Sequence, residues 1–454
     1  MKRFVFASIA VAATFSAATA SAQVWLRDRA NTEGPGIRSG DLELHPGIAA
    51  EVGYDSNYFQ RAPDGGDKAG AIPYPVVDTA RLRITPSFYV STLTAQRKEG
   101  APAPPPSVAF NAGAALVYSE FLSNTGANQL GRSREFGVVG DLAIAFAPGR
   151  PVGFNIYDNY TRTVQPSLDP DPTTSLDRDT NRAAGELVFT KPGGLLDWRF
   201  GYAFGITYFE QTTENYLNTT TQELYTKGRW KFLPRTALVY DGNFQIINYA
   251  NSPKGLQDST PLRTRVGLSG LITDRMSLLL MGGWGASFYS GRGRAGEDFD
   301  SFIGQAELRF YLTGEAPEAG TSAPSLSSIA IGFTRDFQNS YLSDYYESDR
   351  GYIAVSALFA QRFLLSINAG AAAIHYAPVL DPVSGTVVTA NGFTDARFDA
   401  TLFGEYRVRD WLGFNATFQV LDEASSTVLH YPSGNTLDMK FVRYQILGGV
   451  RAFF

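Results

Sequence analysis

The segment that most constrains this chain is its last one. From Val442 to Phe454 the residues alternate with a period of two. Val442, Tyr444, Ile446, Gly448, Val450, Ala452 and Phe454 fall on one face; Arg443, Gln445, Leu447, Gly449, Arg451 and Phe453 fall on the other. An alternating strand that closes on an aromatic suits a sheet rolled into a membrane cylinder, with lipid on one face and the interior on the other. Phe454 is expected to act as an assembly signal for the barrel assembly machinery.

The other end carries an export pattern. Lys2 and Arg3 precede an apolar stretch from Phe4 to about Ala18, followed by Ala20-Ser21-Ala22. A basic start, a short apolar core and small residues at the cleavage point make residues 1–22 a secretory signal peptide, cut before Gln23. The chain has no cysteine, so neither a lipoprotein anchor nor a disulfide is expected. Residues 23–43 are polar and without period and read as a periplasmic lead or a segment tucked into the lumen, leaving 44–454 for the barrel.

After residue 22 no apolar run is long enough for a membrane helix, and the mean hydropathy is −0.13. Both fit a barrel, where only alternate residues meet lipid. The 45 glycines, 32 phenylalanines and 23 tyrosines suit curved strands and interfacial girdles. The net charge of −5, more negative once Lys2 and Arg3 are removed, argues against a nucleic-acid partner.

Eighteen strands are predicted, near 44–58, 79–95, 107–121, 132–148, 151–164, 180–192, 195–211, 220–233, 235–250, 260–273, 275–290, 298–313, 325–340, 345–360, 362–376, 393–408, 410–423 and 440–454, with sixteen as the alternative. The fold class is all-β, a single antiparallel transmembrane β-barrel. Linkers alternate in length. Short ones, such as Leu233-Pro234-Arg235 and Thr273-Asp274-Arg275, follow even strands; long ones, such as 59–78, 165–179, 377–392 and 424–439, follow odd strands. Short periplasmic turns and long outer loops produce that alternation, and an even count leaves no open edge. Links 96–106, with four prolines, and 314–324 depart from it. A soluble sandwich or propeller would explain neither the loop alternation nor the terminal aromatic.

Alternation assigns charged residues to the interior. The basic ones are Arg81, Arg83, Arg199, Lys227, Arg229, Lys231, Arg263, Arg265, Arg309, Arg397, Arg407, Arg443 and Arg451. The acidic ones are Asp141, Asp241, Glu307, Asp399 and Glu405. Charge on the lipid face costs roughly 2–4 kcal/mol at mid-membrane, so these side chains are expected to point inward or sit at the rims. Thirteen bases against five acids predict a lumen that attracts anionic or hydroxyl-rich solutes, unless the arginines only brace the wall. Tyr225, Tyr311, Phe403 and Trp411 are inward or rim aromatics suited to sugar rings, or simply to packing.

The outer loops are acidic, with Asp64, Asp67, Asp78, Asp169, Asp171, Asp177, Asp179, Glu297, Asp298, Asp300, Asp344, Glu347 and Asp349 in or beside them. No complete calcium pattern occurs, and no metal or cofactor is expected. His45, His375 and His430 are the only histidines, none with a convincing nucleophilic partner, so no enzyme is expected. A TonB-dependent receptor, with twenty-two strands and a separate plug, does not fit the length.

Three motifs carry a family likeness: Gly53-Tyr54-Asp55-Ser56-Asn57-Tyr58-Phe59, Arg81-Leu82-Arg83-Ile84-Thr85-Pro86 and Asp158-Asn159-Tyr160-Thr161-Arg162. With the terminal Phe454 they make the chain resemble the β-barrel porin-2 family of Gram-negative outer membranes. Some members resemble the barrel half of polysaccharide-export machines, paired with a periplasmic polysaccharide export protein. The resemblance therefore implies an outer-membrane location, contact with lipid and lipopolysaccharide, and a translocation conduit for a surface polysaccharide in a Wzx/Wzy-type pathway. The alternatives are a diffusion porin for small hydrophilic or anionic solutes and a structural barrel without an open pore.

Overall fold

The computed structural model describes residues 36–62, 76–92, 107–122, 130, 136–163, 177–251, 255–290, 298–313, 327–360, 362–434 and 436–454. The signal peptide, most of the segment 23–43 and the links 96–106 and 314–324 lie outside the described residues.

Eighteen long strands form the wall: β1 Leu42–Asp55, β2 Thr79–Thr92, β3 Val108–Phe121, β4 Phe136–Phe146, β5 Val152–Thr163, β6 Arg178–Thr190, β7 Leu196–Phe209, β8 Thr219–Leu233, β9 Thr236–Tyr249, β10 Ser259–Thr273, β11 Met276–Tyr289, β12 Phe299–Thr313, β13 Ser327–Asn339, β14 Tyr345–Phe359, β15 Phe363–Tyr376, β16 Phe393–Arg409, β17 Leu412–Ala424 and β18 Phe441–Phe453. Each pairs antiparallel with the next, and β18 pairs with β1 from Gly47↔Phe453 to Asp55↔Gln445. The sheet is a closed cylinder, so no main-chain edge is left for lipid to solvate. The wall begins at Leu42, two residues before the expected start, because Ile37–Ser39 folds back on Leu42–Leu44 as a short strand.

The even-strand turns are tight. Leu233↔Thr236, Thr273↔Met276 and Arg409↔Leu412 each close over two residues. None of the central residues has positive φ, unlike the primed turns that match strand twist. A register shift beside each turn absorbs the mismatch as a bulge.

Outward positions carry the exposed apolar band. On β7 these are Phe200, Tyr202, Phe204, Ile206 and Tyr208; on β18, Val442, Tyr444, Ile446 and Val450. Inward positions pair bulky aromatics with bare glycines. A Cβ on Gly113 would lie 2.0 Å from the Tyr89 ring, one on Gly201 2.0 Å from Tyr225, and one on Gly332 2.3 Å from Tyr352. Each ring covers the gap left by a glycine on the neighbouring strand, which lets the sheet curve without losing packing.

Beside the inward set, a few charged groups lie on the outer face. Asp158, Tyr160 and Arg162 of β5 share the parity of Phe154 and Ile156, which are exposed. Each has a neighbour on the same face: Asn181 donates to both Asp158 oxygens at 3.2 and 3.3 Å, Tyr160 donates to Asp179 at 2.5 Å, and Arg162 forks onto Glu210 at 2.5 and 2.8 Å. Arg335 joins Asp349 at 2.9 Å and also Glu347, likewise outward. Pairing within the outer face lowers the cost of leaving these groups outside the lumen.

Candidate functional site: a charged lumen beneath folded outer loops

The seam shows how the motifs act. At the end carrying the short turns, the Phe454 amide donates to the Pro46 carbonyl at 3.0 Å, and the His45 ring lies 2.9 Å from the Phe454 oxygen. The Phe454 ring stacks on Trp411 at 6.1 Å and 5°. At the other end, Ser56 donates its amide to Tyr444 at 3.0 Å and Asn57 its side-chain amide to Val442 at 3.2 Å. Between them, a Cβ on Gly53 would lie 1.9 Å from the Ile446 carbonyl oxygen and one on Gly449 2.2 Å from that of Ala50. Glycine at both positions lets β1 and β18 approach.

The inward face is a lattice of arginine–carboxylate pairs. Glu51, fully buried, accepts from Arg83 at 2.6 Å and from Asn415 at 2.5 Å. Asp55 accepts both Arg443 nitrogens at 3.0 and 2.6 Å, and Gln445 as well. Glu405, also fully buried, holds Arg451 at 3.0 Å and Arg407 at 3.4 Å. Arg397 meets Glu423 at 2.5 Å, and Arg350 meets Asp399 at 3.1 Å. Arg265 bridges Asp241 at 2.6 Å and Asp336 at 3.5 Å, while Arg263 reaches Asp336 at 3.2 Å. Glu307 takes Arg309 at 2.9 Å and the Tyr352 hydroxyl at 2.7 Å. Arg199 spans Asp197 at 3.0 Å and Glu186 at 3.5 Å. Lys227 stands opposite Arg199 on one side and Asp241 on the other, with Arg229 opposite Asp197. Lys231 follows on the same face of β8. Asp141 is exposed and accepts from Asn159.

Alternation had named thirteen bases and five acids. The structure adds Glu43, Glu51, Asp55, Glu186, Asp197, Glu223, Asp336, Asp395 and Glu423 to the inward carboxylates, against Arg178, Arg182 and Arg350 among the cations. The large positive excess shrinks to near balance. The added acids lie on β1, β6, β7, β8, β13, β16 and β17, each at a position of inward parity.

The outer end is not a free opening. Loop 340–344, after β13, puts Tyr341 5.7 Å from Phe209 of β7, edge to face, with the Arg178 guanidinium of β6 5.9 Å over the same ring. Those strands lie far round the cylinder from β13. Gln257, before β10, donates to Asp344 at 3.4 Å, and a Cβ on Gly255 would lie 2.6 Å from the Cα of Pro382 in the loop after β15. That loop carries a small hairpin, Val379–Leu380 with Val387–Thr389, and the loop after β17 another, Val428–His430 with Thr436–Asp438. Their Val379, Leu429 and Met439 form one apolar cluster with Ile374 and Tyr376 of β15, with Leu342 packed against it. A shared core of this kind makes the loops one unit.

Of the sugar-stacking candidates, Tyr311 and Phe403 are buried in the wall, Tyr225 covers Gly201, and Trp411 lies in the turn before β17 against Phe454. His375 faces outward and lies 2.7 Å from the Thr394 hydroxyl, and His430 sits in the β17–β18 hairpin. Of the acidic loop residues, Asp64, Asp67, Asp169, Asp171 and Glu297 lie outside the described residues. Among the described ones no cluster of metal-ligand type occurs.

A closed antiparallel cylinder of eighteen strands, apolar outside and charged within, defines an integral multi-pass β-barrel of the Gram-negative outer membrane. No protein-family model matches the chain. No curated protein matches it either. Among solved structures it is similar to OpdQ of Pseudomonas aeruginosa, at 9% identity over 91% of this chain and 98% of that one, with a TM-score of 0.45. It is also similar to OpdK of the same organism, solved with vanillate, at 11% identity over 90% and 99%, TM-score 0.42. A third is the siderophore receptor PiuA from Acinetobacter baumannii, at 9% identity over 92% and 82%, TM-score 0.42.

Proposed function

We propose that this barrel is a selective diffusion channel for small hydrophilic solutes. The observation that carries this reading is the combination of a continuous arginine–carboxylate lattice along the lumen with outer loops packed over the mouth. A wall of fixed charges holds water and orients polar solutes. Loops sharing an apolar core narrow the entrance to small molecules.

The polysaccharide conduit implied by the porin-2 resemblance is the competing reading. It rests on short motifs, and two of these have local roles in the seam and on the outer face. A polymer also needs a wide continuous opening, and the packed loops weigh against one. A barrel without an open pore is the third reading, supported by how fully the inward charges are paired.

Reconstitution into lipid vesicles separates the three. The channel reading expects small sugars and carboxylates to equilibrate across the membrane, and oligosaccharides of more than a few residues to be excluded. Passage of long polymer supports the conduit. Exclusion of every solute supports the closed barrel.

A further inference from the structure

We propose that Arg81 forms the core of a carboxylate-binding site in the lumen, near the outer end of the seam. Among the described inward-facing guanidinium groups Arg81 stands apart. Its Nε is buried without a hydrogen-bond partner, and it takes part in no ion pair. A buried charged donor left unsatisfied costs a few kcal/mol, so such a group calls for an acceptor.

The register shows why the wall supplies none. Arg83 stands opposite Glu51, and Arg81 stands opposite Gly53. On β1 the inward positions run Glu51, Gly53, Asp55, so a carboxylate is missing at the one directly across from Arg81. The flanking acids are committed elsewhere, Glu51 to Arg83 and Asn415, and Asp55 to Arg443 and Gln445. Arg81 feels the positive charge of Arg83 and Arg443, with Asp55 and Tyr58 as its opposing neighbours.

The other side of the gap is apolar. Phe121 is the β3 residue opposite Arg81, and it packs edge to face on Tyr58 at 4.9 Å within a cluster that includes Val77 and Leu130. A guanidinium fork beside a vacant wall position and an apolar flank suits a carboxylate on a short hydrocarbon body. The solute's carboxylate would take the place of the acid that Gly53 does not provide. This deepens the channel reading and rests on it for its role in transport, although binding itself does not require conduction.

The test uses the full chain, with sodium butyrate as the probe and sodium chloride at equal ionic strength as the reference. In detergent, butyrate is expected to raise the wild-type unfolding midpoint. Arg81→Gln is expected to abolish that rise without lowering the midpoint in chloride, since it breaks no ion pair. Arg309→Gln, which removes a paired arginine elsewhere in the lumen, is expected to keep the rise. In planar bilayers, R81Q is expected to reduce butyrate permeability relative to chloride at least threefold. Absence of a butyrate effect on the wild type, or its persistence in R81Q, overturns the site. Butyrate stabilisation lost in R81Q, in a protein that conducts nothing, supports the site and removes the channel reading alone.

Discussion

At the residue scale, the buried carboxylates of the lumen hold several partners each, so they are the points where one substitution does most damage. Glu405→Ala would leave Arg407 and Arg451 without the acceptor they share. Removing one partner of a buried pair costs about 3–5 kcal/mol because the remaining charge stays uncompensated. Urea unfolding in detergent should show that loss for E405A, and a much smaller one for Arg235→Ala, whose pair with Asp274 is exposed at the turn. Phe454 was legible as a terminal aromatic, but its hydrogen bonds to β1 and its stacking on Trp411 were not, because they depend on which strand lies beside the seam. Arg81 and Arg83 looked equivalent in sequence. The register across β1, Glu51 for one and Gly53 for the other, makes them chemically different.

At the element scale, the strand count was readable because period-two alternation and two classes of linker mark the same boundaries independently. The strand bounds differ from the reading by only a few residues. The outer-face polar groups were not readable, since a rule that sends charge inward hides Asp158 and Arg162 by construction. Only the pairing of β5 with β6, and the reach of Arg162 to Glu210, shows how an outward carboxylate and guanidinium are satisfied. If this face meets lipid, replacing Asp158 and Asn181 together by leucine removes a polar pair from hydrocarbon, and the barrel in lipid vesicles should resist urea better than wild type. A loss of resistance would mean that the face is covered by something polar. The glycine–aromatic pairs give a second prediction. Gly201→Ala places a methyl group within 2.0 Å of the Tyr225 ring and should cost about 1–3 kcal/mol, as overpacking does, while Gly351→Ala, with open space around it, should cost far less.

At the scale of the whole molecule, the wall, the lattice and the loop cover divide the work. The wall solves the backbone hydrogen-bonding problem of a membrane. The lattice makes the interior polar and rigid. The loops after β13, β15 and β17 pack together through the cluster of Leu342, Val379, Leu429 and Met439, and in the proposed channel they set its aperture. This cover could not be read from the sequence, because its contacts join loops far apart in the chain and depend on the cylinder bringing them over one mouth. Conductance in a planar bilayer tests the account most directly, measured on the full chain and on a variant in which residues 378–391 are replaced by a short glycine–serine link. Discrete ohmic steps from the full chain, rising several-fold in the variant, are the predicted result. A barrel that inserts and conducts nothing in either form would contradict it.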